Sequence, residues 1–243
     1  MDVSIIFLII LPIVAFMYAA VGHGGASGYL ALMALFSFAP EEMKPTALLL
    51  NLFVAAISFF HYYRAGHFNG KLFLAFAIGS IPLSFWGGTM DIDPKIYKII
   101  LGVLLLFAIA KMLNLFGKES TKTRKVKWAE GILVGGAIGF FSGLIGIGGG
   151  IILSPVILLM HWGKMKEAAA VSALFIWVNS ASGMAGQLSQ GVTLNAQSWL
   201  FVLLAVIGGY LGGLIGSKKM NNQGLRYLLA FVLTLAAVKL LLV

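Results

Sequence analysis

Cysteine is absent from the 243 residues, and acidic side chains are nearly so: eight Asp and Glu stand against seventeen Lys and Arg. Without cysteine there are no disulfides, no thiolate metal sites and no Cys nucleophile. Charged residues make up only 10% of the chain, against about 25% in soluble domains. That scarcity excludes a soluble enzyme, a disordered protein and a nucleic-acid binder. What fills the chain is apolar: 60% of it comes from the set AVILMFWYC, and the mean hydropathy is +0.99. The apolar residues form continuous runs of 13 to 21 residues. A membrane-spanning helix needs about 20, and the alternation of a β-barrel strand is missing. The sequence therefore predicts an all-α polytopic membrane protein. The formal charge of +9 suits cytoplasmic membrane flanks better than a phosphate-binding surface.

Ten apolar segments are expected, at roughly 3–21, 26–38, 45–63, 71–89, 95–115, 129–145, 150–162, 168–187, 197–217 and 223–243. The first opens Met1-Asp2 with no basic residues and has a long apolar core, so it reads as a retained helix, not a signal peptide. One extended polar linker, Gly117 to Lys127, divides the chain and carries five Lys and Arg. Basic loops stay in the cytoplasm. Alternating outward from the linker places twelve bases inside and three (Lys44, Lys95 and Lys98) outside. Lys111 and Lys239 fall near segment ends, within snorkelling reach of the interface. Both termini are then outside. Trp86, Trp128, Trp162 and Trp199 fall near segment ends, as aromatic-belt residues do, whereas Trp177 reads as an internal packing residue.

The two halves resemble each other. Gly22-His23-Gly24-Gly25-Ala26 opens the second segment, and Gly146-Ile147-Gly148-Gly149-Gly150 opens the seventh, 124 residues later. Each is followed by 13 apolar residues and a loop with Met-Lys, then by Leu52-Phe53 or Leu174-Phe175, then by Gly87-Gly88 or Gly212-Gly213. Five segments per half is an odd number, so the second half enters from the opposite side. The expected organisation is a pair of inverted-topology repeats, residues 1–116 and 129–243, joined by the cytoplasmic linker 117–128. Secondary transporters are commonly built this way.

Segments two and seven are too short for a bilayer core of roughly 30 Å. Their amino ends must then open inside the membrane, where irregular backbone survives only when packed in protein or lining a cavity. Free amides and the positive helix end favour an anion there, and glycine lets a ligand approach the backbone. Close helix packing is the competing role for such glycines. Whether these segments span or re-enter is open. The candidate site residues are Gly22, His23, Gly24, Gly25 and Ser27 at the first opening and Gly146, Gly148, Gly149 and Gly150 at the second. Asn51, Ser172 and Asn179, on the third and eighth segments, are candidate neutral donors, with interhelical bonding as the alternative role. His23 is suited to bind an anion when protonated or to carry a coupled proton, with a neutral helix-to-helix bond as the alternative role. No carboxylate lies mid-membrane, which counts against a cation carrier. No HExxH, GxSxG or P-loop motif appears, so no enzyme, metal or cofactor is called for.

The Gly-rich openings, the second reading Gly143-Leu144-Ile145-Gly146-Ile147-Gly148-Gly149-Gly150 with Pro155 shortly after, resemble the signature of the sulfite exporter (TauE/SafE) family, also called the toluene sulfonate uptake permeases. The resemblance covers nearly the whole chain. The first opening departs from it, with His23 between glycines and Ala26 where the repeat has Gly150. The resemblance implies a secondary carrier of the bacterial or archaeal cytoplasmic membrane, moving sulfite or organosulfur anions by alternating access. It adds Pro155 to the site and repeats the glycines above. The expected partners are a small anion and the lipid bilayer, with no nucleic acid; a homodimer is left open. An anion channel is the main alternative, a cation or metal carrier the weaker one.

Overall fold

The computed structural model describes residues 4–113 and 123–218, together with 233, 234, 237, 238 and 241. The linker residues 117–122 and most of the tenth apolar segment lie outside the described residues; of that segment, the five described positions are helical. Nine further helices are described: α1 (Ile5–Ala20), α2 (Ala26–Leu35), α3 (Pro40–Arg64), α4 (Gly70–Thr89), α5 (Pro94–Met112), α6 (Trp128–Ile145), α7 (Gly150–Leu159), α8 (Met165–Ser189) and α9 (Gln197–Lys218). Five of them (α3, α4, α6, α8 and α9) are long and apolar enough to cross a membrane. The protein is an all-helical, multi-pass membrane protein.

Local chemistry sets the boundaries. The Ser4 hydroxyl accepts from Ile6 N and the Asn69 side-chain oxygen from Leu72 N, each satisfying an amide that a helix start leaves free. Pro40 sits in the first turn of α3, where its missing N–H costs nothing. The Asp93 carboxylate accepts from Lys95 N and Ile96 N at the start of α5.

Segments two and seven are shorter than their apolar runs. Each forms a 10-residue helix, about 15 Å long. Ser37 and His161 turn left-handed (φ 60° and 58°), and the next amide folds back: Phe38 N donates to Met33 O and Trp162 N to Ile157 O. That is a Schellman-type stop, which hydropathy does not reveal. α3 and α8, both 25 residues long, end likewise: Gly66 and Gly191 take positive φ, and His67 N and Val192 N return to Tyr62 O and Gln187 O.

Two helix pairs pack most closely, α4 with α6 and α1 with α9. Both are glycine seams. On α6, Gly131, Gly135, Gly139 and Gly143 recur every fourth residue and lie against Ala75, Phe76, Ser80 and Ser84 of α4. On α9, Gly208, Gly212 and Gly216 lie against the carbonyls of Pro12, Phe16 and Ala20 in α1. Small residues at this spacing let backbones touch, which is how membrane helices associate without a hydrophobic drive between them. α3 and α8 cross in the middle, α3 packing also on α9 and α8 on α4. The outward faces are apolar, with Ile5, Ile9 and Ile13 on α1 and Leu203, Ile207 and Leu211 on α9 exposed toward lipid.

Two tryptophan expectations are corrected. Trp162 is buried, its ring 5.6 Å from that of Phe76, because the stop after α7 turns the chain back into the core. Trp177 faces outward, because its position on α8 is on the side away from α3 and α4. Trp86, Trp128 and Trp199 are exposed, as belt residues would be.

The seams make specific glycines intolerant of any side chain. Gly139→Val and Gly212→Val should each lower stability by about 1–3 kcal/mol, because the added carbons meet main-chain carbonyls that cannot swing aside. Gly70→Ala, whose nearest neighbour would stand 3.6 Å away, should be neutral. Thermal unfolding of detergent-purified variants is the check. Equal midpoints for all three would contradict the seams.

Candidate substrate site at the two helix openings

The chain leaves α1 at Ala20 and turns through Val21, whose amide returns to Tyr18 O. Gly25 caps α2 with φ 103° and Gly149 caps α7 with φ 76°, a left-handed backbone that any side chain would strain. Space forbids a side chain as well. A Cβ at Gly25 would stand 2.6 Å from the Tyr29 ring, and one at Gly149 2.8 Å from Ile138 and 2.9 Å from Phe175. The opening glycines are therefore required by backbone conformation and packing, whatever else they do.

Side chains bond several groups around the first opening. Asn51 on α3 presents its side-chain oxygen to Ala26 N at 3.1 Å, capping α2 from another helix, while its amide nitrogen donates to Ser180 Oγ on α8 at 3.2 Å. Tyr29 OH donates to Gly24 O at 2.8 Å, Tyr62 OH to Ala20 O at 3.2 Å, and Ser27 Oγ to Tyr18 OH at 2.9 Å. All these side chains are buried. The second opening follows α6, where Gly146 N returns to Ser142 O and Tyr97 OH donates to Ile145 O at 3.1 Å. Ile152 N and Leu153 N both donate to Gly149 O.

The openings meet. A side chain at Gly24 would strike Asn51 Oδ1, and one at Gly148 would strike Asn51 Nδ2. Ile176 of α8 lies against Gly24, Gly148 and Gly150. Asn51 and Ile176 thus fill the junction between the two breaks.

His23 makes a second bridge. Its Nδ1 is 3.0 Å from Val21 O, and its Nε2 is 3.1 Å from Ser154 Oγ on α7. Ser154 Oγ is also 2.8 Å from Ser172 Oγ and 3.1 Å from Gly150 O. A carbonyl only accepts, so Nδ1 carries the hydrogen; in the neutral ring Nε2 is then an acceptor. Ser154 has one hydrogen for three neighbours, so it donates to His23 when the ring is neutral. When the ring is protonated, Nε2 donates to Ser154 and the serine hydrogen turns to Ser172 or Gly150 O.

Of the sequence candidates, the structure brings together Gly24, Gly25, Asn51 and Gly148, and separately His23, Gly150 and Ser172. Gly22 packs on Ala169, and Gly146 on the stem of Lys44. Asn179 is elsewhere, donating to Ser80 Oγ and Phe175 O on the seam between α4 and α8. Pro155 is buried mid-helix in α7. Ser154 and Ile176 were not legible, since a lone serine or isoleucine in an apolar run carries no signal of its own. No Asp or Glu is buried among the described residues, and none of their His, Asp and Glu residues group as a metal site.

An apolar helical bundle with two interrupted helices meeting at a buried polar junction is the architecture of a membrane transporter. The model of the family "Sulfite exporter TauE/SafE" matches residues 6–240, and the chain belongs to that family. It is 36% identical to the "Probable membrane transporter protein y4hK" of Sinorhizobium fredii, over 94% of each chain. It is 25% identical to the "Probable membrane transporter protein YunE" of Bacillus subtilis (83% of this chain, 81% of the relative). A third relative, a "Probable membrane transporter protein" of Methanocaldococcus jannaschii, is 28% identical over 80% of this chain and 77% of its own. No solved structure matches.

Removing the Asn51 side chain would leave the first amide of α2 and the Ser180 hydroxyl unpaired in the core. Asn51→Ala should therefore cost about 1–3 kcal/mol of stability. Chemical or thermal unfolding in detergent checks this; an unchanged midpoint would mean that Asn51 does not hold α2.

Proposed function

We propose that this protein is a secondary carrier that moves a small anion, sulfite or another sulfur oxyanion or organosulfonate, across the cytoplasmic membrane by alternating access. The observation that carries the reading is the pair of 10-residue helices whose amino ends open in the buried interior with no buried carboxylate among the described residues. Backbone amides and the positive helix ends attract negative charge at that depth, and no acid opposes it. The family's name and the relatives' names agree with transport.

Alternating access is read from two inverted repeats, residues 1–116 and 129–243. Backbone features recur 124 residues apart: Gly22 and Gly146, Gly25 and Gly149, Ser37 and His161 all take positive φ. The close pairs α1–α9 and α4–α6 exchange when α1 is matched to α6 and α4 to α9. Rocking the α1–α9 pair against the α4–α6 pair, each drawn from both repeats, would expose the shared junction to each side in turn. The basic linker 117–128 is assigned to the cytoplasm and both termini to the outside.

Proteoliposomes containing the protein should accumulate radiolabelled sulfite faster than empty vesicles, with saturation at carrier turnover; conductance without saturation would favour a channel, and no flux of sulfite, thiosulfate or sulfoacetate would overturn the reading. For sidedness, a cysteine replacing exposed Lys125 should be shielded from an impermeant thiol reagent in intact cells, whereas one replacing exposed Asp91 should react. The reverse pattern would invert the topology.

The His23–Ser154–Ser172 chain gives transport a route to pH dependence, since protonating His23 reverses the direction of donation and turns Ser154 toward Gly150 at the second opening. His23→Gln cannot titrate. Over about pH 5–8, the range in which histidine side chains as a class change charge, the variant's flux should vary by less than about twofold where the parent's varies several-fold. Parallel profiles would return His23 to a packing role.

A further inference from the structure

The two openings are alike in backbone but not in hydrogen bonding. At the first, the amide that starts α2 and two further polar groups have side-chain partners: Ala26 N has Asn51, Ser27 Oγ has Tyr18, and Gly24 O has Tyr29. The Asn51 oxygen sits where an anion's oxygen would sit at a helix amino end. At the second, among the described residues, no side chain accepts from Gly150 N or Ile151 N. Ser142, in the last turn of α6, is 0% exposed, and its hydroxyl has no hydrogen-bond partner among the described residues. Its Cβ lies 3.4 Å from where a side chain at Gly149 would stand. A buried hydroxyl without a partner costs free energy. Ser142 is matched, 124 residues earlier, by Tyr18, whose hydroxyl is bonded to Ser27.

From this asymmetry we infer that the anion is held at the second opening alone, by Gly150 N, Ile151 N and the Ser142 hydroxyl, while Asn51 permanently occupies the first. The three donors suit a compact oxyanion, whose oxygens accept several bonds at once. The stem of Lys44 packs on Gly146 of the same loop and its ammonium donates to Gly88 O and Met90 O, which adds positive charge on this side of the junction. Ile138 and Phe175 close over Gly149, so uptake turns these side chains aside. The inference rests on the anion-carrier reading and adds to it which helix binds and a donor, Ser142, that the apolar run around it hides.

The test is sulfite titration of the purified full chain, read as thermal stabilisation, with sulfate as a second probe. Ser142→Ala removes an unpaired hydroxyl, so its ligand-free midpoint should equal or exceed the parent's, while its sulfite affinity should fall about tenfold, as for a lost bond to a charged ligand. Ser84→Ala, which loses a paired hydroxyl donating to Asn179 O at 2.8 Å, should do the opposite: a lower midpoint and parental affinity. Parental sulfite affinity in Ser142→Ala, with the parent clearly stabilised, would overturn the assignment and leave the carrier reading standing. No stabilisation of the parent by either probe would overturn both.

Discussion

Backbone in a membrane interior must find its hydrogen bonds within the protein, and the rest of this structure is arranged around two places where helices stop short. Each interrupted helix leaves its first amides and the preceding carbonyls without intrahelical partners. Side chains from other helices supply some of them: Asn51 from α3 accepts from the first amide of α2, and Tyr62 from α3 and Tyr97 from α5 donate to the last carbonyls of α1 and α6. These bonds fix how α3, α5 and α8 sit around the breaks.

Glycine serves two separate ends here. Along α6 and α9 it recurs every fourth residue and brings α4 and α1 into main-chain contact, so that each seam ties a helix of the first half to one of the second. At the openings it permits the left-handed turn that starts a helix in mid-bundle. In the proposed carrier, the seams would keep each helix pair intact while the junction, held by a handful of hydrogen bonds, rearranges.

Much of this was legible in the sequence because hydropathy and glycine spacing act locally. Long apolar runs matched α4, α6 and α9 to within a residue and α3 and α8 to within five, and the two Gly clusters marked the starts of α2 and α7. The stops of those helices were not legible, since Ser37 and His161 adopt a left-handed turn that their residue types do not announce. Trp162 and Trp177 were misplaced for a related reason: position along a segment does not say which side of a helix faces a neighbour. Asn51 was legible as a polar residue in an apolar helix. Its partners were not, because Ala26 and Ser180 are 25 and 129 residues away. Ser142 and Ser154 are ordinary small residues in sequence and acquire meaning only from what stands beside them.

The account's central claim is that an anion meets main-chain amides at a buried helix opening, and backbone amide exchange reads that contact directly. Hydrogen–deuterium exchange of the full chain in detergent, with and without saturating sulfite and with chloride at matched ionic strength, is the measurement. The account expects sulfite, and not chloride, to slow exchange in peptides covering residues 146–152, with smaller changes in those covering 22–28. Protection confined to the surface loops, or the same protection from chloride, would contradict it.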